Sequence, residues 1–378
     1  MIRIRYSLSR LLPVGLLLAA AGAAQAQTDP ATPRVYPAPA PTATDTTQAA
    51  ENGRDKEFAN PSVLGMGPSK GLIFRHERTP SFNVNSTSKA PFLGNFSSDV
   101  SKNGRFLVKG YIPFLNHPHL KMVLGINYER QEFQFKDPPT DYVPYQNIQD
   151  KGLKTLGTQL VVLRPINSKN WMIFRVKGEL NGDYTSKELN FTDYLKMSSE
   201  FVYGWKKSPL FSWGLGVQVG SYYGRQSVYP ALLYNRTFNN RWGVEALFPA
   251  RVTFRYNPGA NSTPDKFTAP KTLIYAGYEV EGLNYTIKLR KPLDEANQTP
   301  LTTLELRQTE LRGRVRLERE IYDFLWFGLE AGYRYNYAFN AYDRRNNSRT
   351  EIIDTNMAST PYASIELFIT PPRRFLKP

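Results

Sequence analysis

The sequence predicts an all-β chain: a transmembrane antiparallel up-and-down β-barrel of about fourteen strands, with short periplasmic turns and long extracellular loops. Three observations predict it. Aromatic residues make up 13% of the 378 residues, with 23 Tyr and 22 Phe, yet the mean hydropathy is −0.46. Aromatics without long apolar runs suit strands that show lipid on one face only. Segment after segment alternates apolar and polar residues with period two. The gaps between those segments are, with one exception, alternately short and long.

The N-terminus fits export. Arg3, Arg5 and Arg10 precede an apolar stretch from Leu11 to Ala24, and Ala24-Gln25-Ala26 is a small-x-small cleavage site. This pattern predicts a secretory signal peptide over 1–26; the apolar stretch is short against the ~20 residues of a spanning helix. Residues 27–60 begin with a stretch rich in Pro, Ala and Thr and read as a disordered linker. The barrel is expected over 61–370 and a short periplasmic tail over 371–378. The chain carries a formal charge of +15, three of those charges within the leader. For an exported basic protein the expected counter-charges are anionic lipid, lipopolysaccharide or an anionic solute, and not nucleic acid.

The segment 211–223 shows the strand pattern most plainly. Phe211, Trp213, Leu215, Val217 and Val219 fall on one face, and Ser212, Gly214, Gly216, Gln218 and Gly220 on the other. A helix would mix the two sets. The same test gives strands at 71–79, 105–113, 119–135, 153–164, 171–181, 196–206, 210–223, 228–237, 241–256, 272–280, 283–290, 302–319, 323–341 and 358–369. Long gaps follow the first, third, fifth, ninth, eleventh and thirteenth of these, and only 224–227 departs from the alternation. An even count leaves both termini in the periplasm.

Two places are tested by parity. Ile274, Ala276, Tyr278 and Val280 precede Glu281-Gly282, and Leu283, Tyr285, Ile287 and Leu289 follow it. A two-residue hairpin must flip the parity of its apolar set, so 281–282 reads as a turn. Pro249 interrupts 241–256: either a long strand bulges there, or Phe248-Pro249-Ala250 is a turn. The turn would change the strand count, and twelve strands is the alternative to fourteen. A spanning strand needs roughly 9–11 residues, so the longer segments project beyond the lipid. In 119–135 the outward set turns polar at Arg130, Glu132 and Gln134, which marks the lipid edge. In 323–341 the odd positions from Leu325 to Ala341 read as one lipid-facing wall.

The signal peptide, linker and Tyr-rich barrel, with the stretch RWGVEALFPARVTFRYNPGANSTPDKFTAPKTLIYAGYEVEGLNYTI (241–287), resemble the uncharacterised outer-membrane β-barrel families of Gram-negative, Bacteroidota-type bacteria. The resemblance implies fold and location but no substrate. Such barrels end on an aromatic strand; here Ile365 to Ile369 is followed by TPPRRFLKP.

Candidate chemistry is sparse. Without Cys there is no disulfide, thiolate nucleophile or Cys-bound metal. His76 beside Glu77 could serve a hydrolase, but no GxSxG elbow or spaced triad accompanies them. His117 and His119 lack a third metal ligand. No catalytic residue, metal or cofactor is therefore expected. The residues that parity turns inward are more informative: Arg175, Lys177, Glu179, Arg251, Arg255, Glu310, Arg312, Arg314, Arg316, Glu318, Glu330 and Arg334. With the other inward positions they leave a basic excess. The leading expectation is a monomeric, porin-like outer-membrane barrel that passes or binds small solutes, anionic ones in particular. Its partners would be outer-membrane lipid, lipopolysaccharide and the barrel-assembly machinery. The alternatives are a plugged barrel with a structural or surface-interaction role through its loops, and, third, an outer-membrane hydrolase. Eight strands are filled by side chains and 16–18 leave a channel, so at fourteen the path of residues 51–70 decides.

Overall fold

The computed structural model describes residues 58–220, 227–261, 267, 269–293, 299–345 and 350–372. The expected signal peptide, the linker up to residue 57 and the tail from 373 onward lie outside the described residues. Sixteen strands are described: β1 (Leu72–Thr79), β2 (Phe82–Ser88), β3 (Phe96–His117), β4 (Leu120–Phe135), β5 (Leu153–Pro165), β6 (Asn170–Gly182), β7 (Leu195–Ser208), β8 (Phe211–Gly220), β9 (Ser227–Thr237), β10 (Trp242–Phe248), β11 (Arg251–Tyr256), β12 (Thr272–Leu293), β13 (Leu301–Tyr322), β14 (Leu325–Asp343), β15 (Glu351–Met357) and β16 (Thr360–Ile369). Two helices join them, α1 (Val143–Lys151) and α2 (Phe191–Tyr194).

These strands make fourteen staves of one closed antiparallel barrel. β3 to β14 pair in sequence order, and β1 and β16 close the ring between β3 and β14. β2 continues β1 beyond Pro80, and β15 precedes β16. They pair with each other and extend the closing seam, with β2 on β3 and β15 on β14.

Two expected boundaries are corrected, and the corrections cancel in the count. Residues 281–282 are not a turn: β12 runs unbroken from Thr272 to Leu293 and pairs with β13 through Glu281 and Gly282. The turn lies at Pro249-Ala250, between β10 and β11. The segment 257–271 therefore joins the rim of short turns, not the rim of long loops. The predicted loop 342–357 is also largely strand, since β15 occupies Glu351–Met357.

The long strands invert their faces along their length. On β4, Leu124 and Ile126 point outward and are exposed, while Asn127, Glu129 and Gln131 face the interior; beyond Arg130 the outward residues are Glu132 and Gln134, and the buried ones Phe133 and Phe135. β13 does the same: Val315 and Leu317 are outward at one end, and Leu304 and Leu306 are buried inward at the other. On β12 this exchange of faces is what imitated a hairpin. Leu283, Tyr285 and Ile287 lie on the same face as Glu279 and Glu281, inside the barrel. On β14 the register shifts opposite Thr309/Glu310 and skips Tyr337. A bulge of this kind switches the parity beyond it, so Phe339 and Ala341 turn into the core, not toward lipid.

The barrel thus has two storeys. The lower one is charged within and apolar without; its outer belt includes Ile126 at 56% and Val315 at 57% exposure. Such a continuous exposed apolar surface belongs against lipid. The upper storey is built as a water-soluble domain, polar outside and apolar inside. It closes over nine staves: the end of β6 meets β12 at Gly182↔Thr286, leaving β7 to β11 outside this second closure. A Cβ at Gly182 would lie 2.4 Å from the Thr286 carbonyl oxygen and from the Tyr194 ring, so the junction demands glycine.

α1 fills the upper storey. Pro144 opens it, and Gly152, at φ 65°, ends it with its N–H on the Ile148 carbonyl. Tyr145 and Ile148 enter the core with Phe133, Phe135 and Phe339. Tyr145 stacks on Phe135 at 5.6 Å. Its hydroxyl pairs with Ser86 at 2.5 Å and Thr355 at 2.8 Å, and burial pushes the phenol up to about 12.

The lipid edge on this reading is testable. Val315→Arg should cost about 2–4 kcal/mol of folding free energy in bilayers, and Gln134→Arg close to nothing, as read from urea titrations of tryptophan fluorescence. Equal costs at the two positions would contradict the two-storey assignment.

Candidate functional site

The lower interior is layered. Its floor, at the rim of short turns, is apolar: Ile73, Val161, Leu163, Trp171, Val202, Trp326 and Phe368 form one buried cluster with Ala59. Trp171 is fully buried and donates its indole N–H to Ser212 Oγ at 3.0 Å. The ceiling is the apolar core of the upper storey. Charged side chains fill the layer between.

Strand alternation supplies that layer. β6 contributes Arg175, Lys177 and Glu179; β11 contributes Arg251 and Arg255; β13 contributes Glu310, Arg312, Arg314, Arg316 and Glu318; β14 contributes Glu330 and Arg334. All are buried except Arg251 and Arg314, which are half-buried. They do not form one surface. On β6, Arg175 pairs with Glu200 at 3.8 Å and Lys177 with Glu179 at 2.7 Å. On β11, Arg255 pairs with Glu245 at 3.0 Å and donates to Thr237 Oγ1 at 2.8 Å.

The β13 and β14 residues belong to two linked clusters. In the first, Glu366 is shared by Arg75, Lys70 and Arg316; Arg75 and Lys70 each approach to 2.7 Å. Arg316 also meets Glu318 at 2.8 Å and Glu330 at 3.3 Å. Glu330 takes a further hydrogen bond from the Tyr362 hydroxyl at 3.0 Å. Arg314 pairs with Glu279 at 2.6 Å. In the second, Arg312 bridges Glu77 and Glu281, Arg105 bridges Glu281 and Glu129, and Arg334 reaches Glu310 at 3.4 Å and Asn103 Oδ1 at 3.0 Å. Arg105 on β3 touching Glu281 on β12 spans the lumen.

Several of these partners escaped the sequence reading. Arg75 and Glu77 lie on β1 at period two from Ile73, a parity that marks them as inward. His76 faces the other side of the wall and accepts from Arg78 Nε at 3.2 Å. It therefore forms no pair with Glu77. Glu281 lies within β12, opposite Glu310, and not in the expected turn. Among the described residues thirteen carboxylates and ten cations are buried, two of the carboxylates, Asp183 and Glu305, lying in the upper storey; Lys70 and Arg314 are only slightly more open. His117 and His119 sit at the β3–β4 turn, where His119 meets the Phe58 ring at 4.2 Å. Among the described residues no cluster of three His, Cys, Asp or Glu side chains is placed to hold a metal. In the 342–357 segment Arg345 pairs with Asp343 at 2.7 Å and Arg344 donates to Thr286 Oγ1 at 3.0 Å; Arg349 lies outside the described residues.

Residues 58–70 cross the lower mouth as a strap. Ala59 N–H donates to Asn167 O at 2.9 Å and Leu64 N–H to Pro209 O at 3.0 Å, both at turns between staves. Lys206 donates to the Ser62 carbonyl, Asn235 to that of Pro61 at 2.9 Å, and Thr237 to that of Leu64 at 2.6 Å. Lys70 ends the strap between Glu318 and Glu366, over the Phe368 ring at 4.0 Å. The strap is held mainly by side chains and turn carbonyls, without a strand ladder.

Fold and interior define the class: a closed β-barrel with an apolar outer belt and a filled, ion-paired lumen. The chain belongs to the DUF6268 family, a domain of unknown function, whose profile matches residues 121–368. No curated protein sequence matches the chain. Solved structures similar to it include the Pseudomonas putida toluene transporter TodX, at 9% identity over 83% of this chain and 93% of that one, with a TM-score of 0.38. The NanC porin matches at 8% over 80% and 100%, with a TM-score of 0.29, and a Pseudomonas aeruginosa FadL homologue at 8% over 80% and 91%, with 0.33. Scores this low carry no inference about cargo.

The shared carboxylate is the keystone of the charged layer. Glu366→Gln leaves Lys70, Arg75 and Arg316 with too little counter-charge in a buried layer, a loss of about 3–5 kcal/mol. Heat-modifiable mobility on gels should show a clear drop in unfolding temperature, against little change for Lys89→Gln at the exposed Lys89–Glu351 pair. Equal behaviour would mean that the layer is hydrated.

Proposed function

We propose that this chain is a monomeric outer-membrane β-barrel that takes small solutes into its lumen, and that the lumen is shut at rest. Export by residues 1–26 and insertion by the barrel-assembly machinery would deliver it, with lipid and lipopolysaccharide as its surroundings. The linker 27–60 and the tail 371–378 would lie on the periplasmic side. The observation that carries the reading is the strap. It closes the lower mouth through bonds that can be released one at a time without unpairing any stave. The arc β7 to β11 lies outside the upper closure, and among the described residues the apolar core of the upper storey takes no side chain from it. We assign no catalytic role: the inward charged side chains of β13 and β14 are ion-paired with one another and with their neighbours.

One observation favours a second reading. The upper storey has a filled core and a polar exterior, as a domain presenting a surface would. A purely structural or surface-binding barrel needs no releasable strap, and conductance separates the two. In planar bilayers the intact chain should be nearly silent, and a chain lacking 58–70 should conduct steadily. A silent deletion variant that still runs as a folded barrel would overturn solute passage and leave the surface role. Steady, strongly anion-selective current from the intact chain would overturn closure by the strap.

A further inference from the structure

The charged layer holds a cavity of about 40 Å³ on the β10–β13 side, lined by Lys70, Glu245, Arg251, Thr253, Tyr275, Arg314, Arg316 and Glu318. An ordered water occupies roughly 10–15 Å³ on this measure. The space therefore suits a few waters or one small oxyanion, and no sugar or hydrocarbon. Its lining holds four cations against two carboxylates, and three of the cations also meet carboxylates outside the lining: Lys70 and Arg316 meet Glu366, and Arg314 meets Glu279 at 2.6 Å. Both carboxylates are already committed, Glu245 to Arg255 at 3.0 Å and Glu318 to Lys70 at 2.6 Å. Thr253 Oγ1 is buried at the cavity and has no hydrogen-bond partner. A buried hydroxyl without a partner costs free energy unless something occupies the space beside it.

We propose that this cavity is a binding site for a small oxyanion of phosphate or sulfate size. Arg251 and Arg314 would supply planar guanidinium donors, which match oxyanion geometry, and Thr253 one hydroxyl donor. Lys70 closes the cavity toward the strap, so an anion there touches the group that ends the strap. Arg251 is half-buried, as are Lys70 and Arg314, and it stands directly after the β10–β11 turn, on the arc outside the upper closure. The proposal rests on the barrel reading for its biological sense, but its test does not depend on conductance.

The test is titration of inorganic phosphate into the full chain in detergent at neutral pH and low salt, followed by calorimetry. The expected result is one saturable site. Arg251→Gln combined with Thr253→Val should weaken it by about tenfold or more, the order set by losing one charge-assisted hydrogen bond. Thr253→Ser should retain it. Arg290→Gln, at an exposed pair with Asp150 on the far end of β12, should leave it unchanged. Absence of saturable binding to the unaltered chain overturns the proposal whatever the variants do. Binding that Arg290→Gln weakens as much as the double variant overturns it also, as nonspecific attraction to a basic protein.

Discussion

A strand that leaves a bilayer and continues into water has to exchange its faces, and this chain is organised around that exchange. Within lipid the outer face must be apolar and the inner face is free to be charged. Above lipid the outer face must be polar, and the only place for apolar side chains is inside. β4, β12 and β13 make the exchange by composition alone, with Phe133, Leu283 and Leu306 on the inner face. β14 makes it with a bulge beside Tyr337, and β3 pairs with β4 through a register shift between Val100 and Lys102. Once the inner face is apolar, a wide barrel cannot stay open. It narrows to nine staves, and α1 fills what remains.

The exchange also fixes the character of the charged layer. Between an apolar floor and an apolar ceiling, an ion without a partner is far more costly than at a surface. Thus Glu366 serves three cations, and Arg312 and Arg105 converge on Glu281 from opposite sides of the lumen. Arginine suits this work because its fork holds two carboxylates at fixed angles. The strap gains its last anchor from the same layer. Lys70 is the only strap residue in it among the described ion pairs, so closure of the mouth and balance of the interior are one electrostatic problem.

Much of this was legible in the sequence, and the rest failed for identifiable reasons. Period-two alternation placed most staves and turned the charged residues of β6, β11, β13 and β14 to one face. The parity flip at Glu281-Gly282 misled because a change of solvent and a change of direction leave the same mark on a hydropathy pattern. Pro249 carried the opposite information, and a turn there together with an unbroken β12 restores fourteen staves. Arg75 and Glu77 were readable by parity from Ile73. Lys70 was not, because a strap held by side chains has no periodicity. The partners of Arg105 and Arg312 lie across the lumen, at a separation that no local pattern encodes.

The chain contains no cysteine, so single cysteines carrying nitroxide labels can be walked along β4 in a supported bilayer. Accessibility to oxygen against a water-soluble nickel complex reports the environment at each position. The account predicts lipid-like values at 124 and 126, water-like values at 132 and 134, and protection from both probes at 133 and 135. Lipid-like values continuing to 132 and 134, or water reaching 133 and 135, would contradict a wall that inverts its faces and closes its own lumen.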